Sequence, residues 1–267
     1  MKIFGKKKHP LSSTAQEIRL SVLDMINTAS GGHIGGSLSS VEIMTALYFS
    51  DVFNFDRDHF ILSAGHLCPT LYAIMAKIGK IPYSELSTLA DIDSHLEGHS
   101  SINVPGIEYS SGSLGQGLSF AAGLALGDKS RHTVCLTTDG EHDEGQIWEA
   151  IMFANKYHQG NLINIVDYNG QQIGGTTATI MPLGELASKY LHFGWTVQTV
   201  NGHNLFALIK ALKIAKASTI YPACIIAKTI MGKGVSFMEN DYHYHDIKKI
   251  SPNLYFQAKN EIEAGAY

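Results

Sequence analysis

Residues 133–170 read TVCLTTDGEHDEGQIWEAIMFANKYHQGNLINIVDYNG, and this stretch decides the fold class of the chain. Two apolar runs, at 133–138 and 162–167, have the length and the β-branched content of buried strands. Between them, residues 146–158 carry apolar side chains at helical spacing. A strand, a helix and a second strand in this order predict a right-handed crossover between parallel strands.

The alternation of strand and helix extends over most of the chain. Further strands are predicted at 60–62, 195–200 and 223–228, and helices at 14–29, 69–79, 114–128, 183–193 and 205–217. Thr14 and Ser39 are each followed three residues later by a glutamate, which predicts capping boxes at two helix starts. The fold class is therefore α/β, with a mostly parallel sheet and helices on both faces.

The chain is expected to form one domain with short extensions. We predict an N-terminal arm at residues 1–11, a single domain at 12–250 and a C-terminal tail at 251–267. Residues 80–112 show no regular pattern and hold many polar and turn residues. A loop of this length inside a compact domain is usually functional.

Composition excludes several classes of partner. The chain has 267 residues and a net charge of −4, which gives no sign of nucleic acid or an anionic membrane surface. Charged residues make up 16% of the sequence, against about 25% in average soluble proteins. Either a large interface with another chain or a sheet covered on both faces explains this deficit. No apolar run approaches the roughly 20 residues of a membrane span, and we see no secretory signal. Three isolated cysteines favour a reducing, cytoplasmic environment.

Polar residues follow both strands of the deciding stretch. Asp139 and Gly140 come directly after the first strand, and Asn169 comes after the second. Adjacent parallel strands lie about 4.8 Å apart, so their carboxyl ends can bring a carboxylate and an amide oxygen to one cation. Such ligands suit Mg²⁺, and Gly140 and Gly145 allow backbone N–H groups to approach a phosphate. The alternative interpretation is two ordinary turns, since Asp-Gly and Asn-Gly are common turn dipeptides.

The two motifs resemble the cofactor motif of thiamine diphosphate enzymes, which begins near Gly-Asp-Gly and ends near Asn-Asn. This sequence has Thr-Asp-Gly at 138–140 and Tyr-Asn at 168–169. The resemblance implies thiamine diphosphate together with Mg²⁺, for which Ca²⁺ or Mn²⁺ can substitute. By the same resemblance, Asp139 and Asn169 bind the metal through their side chains, and Gln171 binds it through its main-chain carbonyl.

Glycine-flanked histidines narrow the resemblance to the transketolase family. The segments similar to that family are SGGHIGG at 30–36, LSAGH at 62–66, GH at 98–99, SGSLGQG at 111–117, MEN at 238–240 and YHD at 244–246. They follow the family's order over residues 12–250. The last segment departs from the family's Trp-His-Gly at Tyr244 and Asp246.

The resemblance implies a role for each histidine. His33, His99 and His245 are expected to be catalytic residues that face the sugar, because a neutral imidazole can both bind a hydroxyl and move a proton. His66 is expected beside the cofactor. His243 lies close enough in sequence to be an alternative to His245.

The resemblance also assigns residues to the cofactor and to a subunit interface. The cofactor-binding residues it implies are His66, Ser113, Leu114, Gly115, Gly140 and Asn169. Glu144 and Glu149 match interface glutamates that link two active sites in transketolases, although solvated helix charges are an equal alternative.

The reaction implied by the resemblance is transfer of a two-carbon ketol unit from a ketose to an aldose. Transketolases activate the cofactor with a glutamate of a second α/β domain, which also binds sugar phosphate, and no counterpart of that domain is found in this sequence. We therefore expect a separate C-terminal subunit with the pyrimidine-binding domain, in an α2β2 assembly. Two alternatives remain open: a transferase or synthase similar to 1-deoxyxylulose-phosphate synthase, and a non-catalytic subunit for cofactor binding or assembly.

Overall fold

The computed structural model describes residues 11–29 and 31–265 and has a parallel sheet at its centre. In chain order, the strands are β1 (His59–Leu62), β2 (Thr133–Thr138), β3 (Leu162–Tyr168), β4 (Gln171–Gln172), β5 (Gly175–Thr176), β6 (Thr196–Asn201) and β7 (Ala223–Lys228). The main sheet has the order β1-β2-β3-β7-β6, and all its neighbouring strands are parallel. Strands β4 and β5 form a separate antiparallel hairpin directly after β3.

Helices cover both faces of the sheet. The α-helices are α1 (Leu11–Thr28), α2 (Ile34–Ser39), α3 (Val41–Phe49), α4 (Cys68–Lys77), α5 (Gln116–Gly127), α6 (Gly145–Lys156), α7 (Thr177–Ile180), α8 (Leu186–His192), α9 (Leu205–Lys216) and α10 (Pro252–Ala264). Side chains of α1, α3, α4, α9 and α10 form one apolar core, and those of α5, α6 and α8 form another. The predicted α/β fold class is confirmed.

Alternate residues of β1, β2, β3 and β7 enter the two cores. In β2, Val134 and Leu136 lie in the first core, whereas Cys135 lies in the second. Since successive side chains of a strand point to opposite faces, a strand buried on both faces is apolar along its length. This is why β2 and β7 begin and end at their predicted residues.

Two details of the predicted helices are wrong. Thr14 lies inside α1, which already begins by Leu11, so it does not cap that helix. Ser39 ends α2, and α3 follows Ser40, which makes no capping hydrogen bond from its side chain. The Ser39 hydroxyl instead donates to Gly36 O and to the Asp167 carboxylate. Spacing alone predicts both caps, and spacing does not show what a hydroxyl contacts.

The segment predicted as a C-terminal tail contains α10. This helix packs against α1, and its Ala258 and Ile262 are fully buried in the first core. Gln16 of α1 donates to the carbonyls of Ile262 and Glu263 at 2.8 and 2.9 Å. The domain boundaries themselves stay a prediction.

Some predictions fall on residues outside the described ranges. These are the N-terminal arm up to residue 10, Ser30 of the first histidine segment, and the last two residues. Among the helices of residues 11–29 and 31–265, none is long and apolar enough to cross a membrane.

Candidate active site

Four histidines converge on one cavity beyond the carboxyl ends of β1, β2 and β3. The His33 ring centroid lies 5.3 Å from that of His66, 5.6 Å from His99 and 5.7 Å from His245. The His66 and His245 rings are 5.4 Å apart. All four side chains line a cavity of about 290 Å³. Loops from four distant parts of the chain thus meet at this point.

A backbone bridge joins the loops that carry His33 and His245. The Gly32 N–H donates to Ile247 O at 2.9 Å, and the Ile247 N–H donates to Gly32 O at 3.1 Å. Gly31 has φ +131°, and a Cβ there would lie 2.3 Å from Ile247 O. The glycines that flank the histidine are therefore needed for close approach of two backbones.

His99 reaches the cavity from the long irregular segment at 80–112. The fully buried Tyr72 of α4 holds this segment, since its hydroxyl contacts the His99 and Glu97 carbonyl oxygens, each at 3.0 Å. Residues 80–112, predicted from the sequence to be functional, thus contribute His99 to the cavity.

His245, and not His243, belongs to the cavity. The His243 side chain is 71% exposed, and its Nδ1 pairs with the Asp241 carboxylate at 2.6 Å. His245 instead packs on the His33 and His66 rings. The structure thus places His245 in the cluster, and its predicted contact with the sugar stays a prediction.

Burial keeps three of the cavity histidines neutral. Loss of hydration lowers the pKa of His33, lowers that of His66 well below its usual value and lowers that of His245 to about 4. A neutral imidazole offers one N–H donor and one acceptor nitrogen. At neutral pH these rings can therefore hydrogen-bond hydroxyl and carbonyl groups of a polar ligand.

One carboxylate oxygen of Asp139 accepts hydrogen bonds, and the other has no partner among the described residues. Oδ2 accepts from the Gly170 N–H at 2.9 Å and from the Thr177 hydroxyl at 3.3 Å. Oδ1 is buried and has no hydrogen-bond partner in the described part of the chain. Burial, followed by the charge of Asp167, raises the pKa of Asp139 to about 7. A cation at Oδ1 would satisfy this oxygen and offset the cost of burying the charge.

Asn169 is held in a fixed orientation by a buried network. Its Nδ2 donates to Asp167 Oδ2 at 3.3 Å. The hydroxyls of Ser39 and Thr229 also donate to the Asp167 carboxylate. The Asn169 oxygen is thereby turned toward Gln171, whose N–H donates to it at 3.0 Å.

Gln171 begins the hairpin of β4 and β5, which forms one wall of the cavity. The buried Oε1 of its side chain has no partner among the described residues. Its main-chain carbonyl, the predicted metal ligand, belongs to the same turn as Asn169. The three predicted ligands thus lie on two successive strand ends, as the sequence implies.

The donor set fits a hard divalent cation. No group of three or more histidine, cysteine, aspartate or glutamate side chains could hold a metal within the described ranges. A carboxylate, an amide oxygen and a carbonyl oxygen remain, and this is the type of set that binds Mg²⁺ with phosphate oxygens completing the octahedron. The unpartnered Oδ1 of Asp139 is the observation that supports this fit.

The predicted cofactor loop, residues 111–117, lies at the cavity only in part. Leu114 and Gly112 line the cavity, as do Gly140 and Asn169. Ser113 and Gly115 are not among its lining residues, and the Gly115 N–H donates into the protein at 2.7 Å. Their predicted contact with the cofactor stays a prediction.

Glu144 and Glu149 are both exposed, at the start and in the second turn of α6. They are separate from the histidine cluster. Exposure is compatible both with solvated charges and with an interface, so the predicted interface role stays a prediction.

Sequence reasoning assigned no role to several residues of the site. These are Gly36, Thr138, Glu141, Gln172, Ile173 and Gly174 on the cavity wall, and Asp167 behind Asn169. The hairpin had a signal, because Ile173-Gly174 forms a two-residue connection of the type that favours glycine. The buried carboxylates had none, since their hydrogen-bond partners come from distant segments.

Comparison with known proteins agrees with this geometry. The family described as "Transketolase, thiamine diphosphate binding domain" matches residues 11–249. The chain belongs to the transketolase family. It corresponds to the N-terminal, thiamine diphosphate-binding subunit of these transferases.

Two relatives in the transketolase family have nearly the same length as this chain. The 6-deoxy-6-sulfo-D-fructose transketolase subunit SqwG of Clostridium sp. (strain MSTE9) is 40% identical over 265 residues, which cover 95% of this chain and 96% of the relative. One of the subunits of the apulose-4-phosphate transketolase of Phocaeicola vulgatus is 37% identical over 247 residues, covering 88% of each chain.

A solved transketolase has the same fold but a longer chain. The structure from Campylobacter jejuni superposes with a TM-score of 0.86 and 28% identity. The match covers 95% of this chain and 42% of that one. This chain therefore corresponds to less than half of a single-chain transketolase.

Proposed function

We propose that this chain is the thiamine diphosphate- and Mg²⁺-binding subunit of a two-chain transketolase, which transfers a two-carbon ketol unit from a ketose to an aldose. One observation carries the proposal: the histidine cluster and the unpartnered Asp139 oxygen lie at the same edge of the sheet. A polyhydroxylated ligand and a metal-bound diphosphate would need these two kinds of groups side by side.

Some residues of this chain would bind the metal, and others would bind the sugar. Asp139, Asn169 and Gln171 would hold Mg²⁺, with diphosphate oxygens as its remaining ligands. When bound, thiamine diphosphate supplies the carbanion that adds to the donor carbonyl. His33, His99 and His245 would bind the sugar oxygens and exchange protons with them, because their rings can both donate and accept.

A second subunit would complete the site. Two relatives of similar length are named as subunits of transketolases, and the single-chain enzyme is more than twice as long as the matching region. We propose that the pyrimidine-binding domain comes from a separate C-terminal subunit, in an α2β2 assembly with closed twofold symmetry. The two relatives are named for different sugars, so the proposal does not extend to a particular donor.

The proposal is tested by following carbon atoms. The chain is assembled with its candidate C-terminal subunit, thiamine diphosphate and Mg²⁺, and given a ketose labelled with ¹³C at its first two carbons together with an unlabelled aldose. We expect both labelled carbons to appear in a new ketose, and the transfer to stop when the metal is chelated. Transfer of label without cofactor or metal, or no transfer with any ketose of a broad panel, would reject the proposal.

A further inference from the structure

A single peptide bond of the cofactor loop has both of its polar atoms held by side chains. The Leu114 carbonyl oxygen accepts from Gln146 Nε2 at 2.8 Å. The N–H of the same peptide, which belongs to Gly115, donates to Glu141 Oε1 at 2.7 Å. Two hydrogen bonds on opposite edges of one planar peptide fix its orientation.

Both of these side chains belong to residues 139–146, the segment that begins with Asp139 and ends in the first turn of α6. Glu141 follows Asp139 by two residues, and Gln146 lies in the first turn of α6. Leu114 and Gly112 both line the cavity, so the fixed peptide begins at a residue of the cavity wall. The loop and the predicted metal site are therefore connected by two direct contacts.

Glu141 is fully buried, and its carboxylate joins three elements. Besides the Gly115 N–H, it accepts from the Ser63 hydroxyl after β1 and from the Thr138 N–H at 3.3 Å at the end of β2. Ser63 Oγ in turn accepts from the Gly117 N–H at 3.1 Å. Burying a carboxylate is costly, and among the described residues hydrogen-bond donors from backbone and hydroxyl groups compensate for it.

Gly115 is packed so closely against this segment that no other residue fits. Its φ is +82°, a conformation that favours glycine. A Cβ at this position would lie 2.7 Å from Glu144 Cβ and 2.9 Å from Gln146 Nε2. The loop therefore approaches the segment closely at Gly115.

We propose that Glu141 and Gln146 are positioning residues of the cofactor site, which hold the Leu114–Gly115 peptide in the orientation that binds thiamine diphosphate. This inference rests on the proposed function. A glycine-rich loop loses much conformational entropy when a ligand orders it, and holding the loop beforehand removes part of that cost. Losing either contact should therefore raise the dissociation constant of the cofactor, with a smaller effect on the stability of the fold.

The chain offers a matched control for Gln146. Gln159 also donates its side-chain amide to a backbone carbonyl of the same region, Ala122 O in α5, at 2.9 Å. It is fully buried, whereas Gln146 is partly exposed. Gln159→Ala should therefore destabilise the fold at least as much as Gln146→Ala, without touching the cavity wall.

The experiment compares affinity with stability in the assembled enzyme. Thiamine diphosphate is titrated calorimetrically in saturating Mg²⁺, and thermal unfolding is recorded without cofactor for each variant. We expect Gln146→Ala to raise the cofactor dissociation constant about 3- to 10-fold, as the loss of one hydrogen bond predicts. Gln159→Ala should lower the unfolding temperature and leave the dissociation constant within about 2-fold. The KM for the sugar should change in neither variant.

A double variant tests whether the two residues act on the same peptide. Glu141→Gln should weaken cofactor binding about 10- to 100-fold, because the acceptor loses its charge and the new amide NH₂ must face one of the two backbone N–H groups that the carboxylate accepts from. Since both residues hold one peptide unit, Glu141→Gln combined with Gln146→Ala should weaken binding less than the product of the two single effects. If Glu141→Gln does not fold, the comparison of Gln146 with Gln159 decides alone.

The outcomes separate this inference from the proposed function. If the assembled wild type binds no thiamine diphosphate, both fail. If it binds the cofactor but Gln146→Ala matches Gln159→Ala in its loss of affinity, or leaves affinity unchanged, only the positioning role is overturned.

Discussion

Single residues at the site combine burial with unused hydrogen-bonding capacity. Asp139 and Asp167 are two fully buried carboxylates on neighbouring strand ends, and burial raises the pKa of both. Asp167 has hydroxyl and amide donors, whereas one oxygen of Asp139 has no partner in the described structure. Retaining such an oxygen in a folded core is costly, and a cation bound there would offset that cost.

We expect Asp139→Ala to abolish Mg²⁺-dependent retention of thiamine diphosphate while the fold survives. The substitution removes the only charged side chain of the proposed donor set. Calorimetric titration of cofactor and Mg²⁺ into the assembled enzyme measures this. Asp128→Ala, which removes an exposed carboxylate at the end of α5, is the control and should bind as the wild type does. Equal affinities of the wild type and Asp139→Ala would refute the metal assignment.

His33→Ala and His99→Ala should each lower turnover by about 10²- to 10⁴-fold, the usual effect of losing a proton-transfer or polar group. Cofactor affinity should change much less, because both rings are assigned to the sugar. Steady-state kinetics of the assembled enzyme give both quantities. His243→Ala is the matched control, since this exposed histidine lies outside the cluster. Unchanged turnover in both cavity variants would make these residues structural.

Because His142 is buried, we expect the free energy of unfolding to fall in acid. It is fully buried against Tyr190, and burial lowers its pKa to about 4, from 6.5 in the unfolded chain. The unfolded state therefore binds the proton more tightly, so the stabilisation is complete above pH 6.5 and is lost as pH falls toward 4. His142→Gln should remove about 3 kcal/mol of this pH dependence. Urea unfolding between pH 7 and 4 measures it, with His243→Gln as a control, and identical slopes for wild type and His142→Gln would contradict the assignment.

At the scale of elements, the sequence predicts what depends on local pattern and misses what depends on contacts. The buried strands β2 and β7 are predictable to the residue, since their apolar runs are continuous. The loops of His33, His66 and His99 are predictable because each histidine directly follows a glycine in a short motif, whereas His245 lies between Tyr244 and Asp246. Helix α10 was missed, because only Ala258 and Ile262 of this helix are buried and its other apolar residues do not repeat at a clear helical spacing. Glu141 was missed because its partners, Ser63 and Gly115, are distant in sequence.

The packing of α10 against α1 gives a prediction at this scale. Ile262→Ala should lower the free energy of unfolding by about 2–5 kcal/mol, the usual cost of emptying a buried site. Phe256→Ala, on the same helix but 60% exposed, should cost no more than about 0.5 kcal/mol. Urea unfolding of both variants measures the difference. Equal, small effects would mean that residues 251–265 behave as the tail predicted from the sequence.

At the scale of the whole molecule, the exposed apolar surface bears on the proposed assembly with a second subunit. Helices on both faces of the sheet account for part of the low charged fraction. Large apolar side chains are nevertheless exposed on α5 and α6 and just after α6, namely Phe120, Met152, Phe153 and Tyr157. They lie on the helices that follow the cofactor loop and the Asp139 segment. Exposed apolar surface of this kind is what a second subunit would cover.

The central claim is that this chain needs a second subunit to catalyse ketol transfer. The most direct measurement is a ketol-transfer assay, combined with light scattering, on the chain alone and on its mixture with the candidate C-terminal subunit, with thiamine diphosphate and Mg²⁺ in both. The account predicts no activity from the chain alone, and activity with the mass of an α2β2 assembly from the mixture. Robust ketol transfer by this polypeptide alone would contradict it.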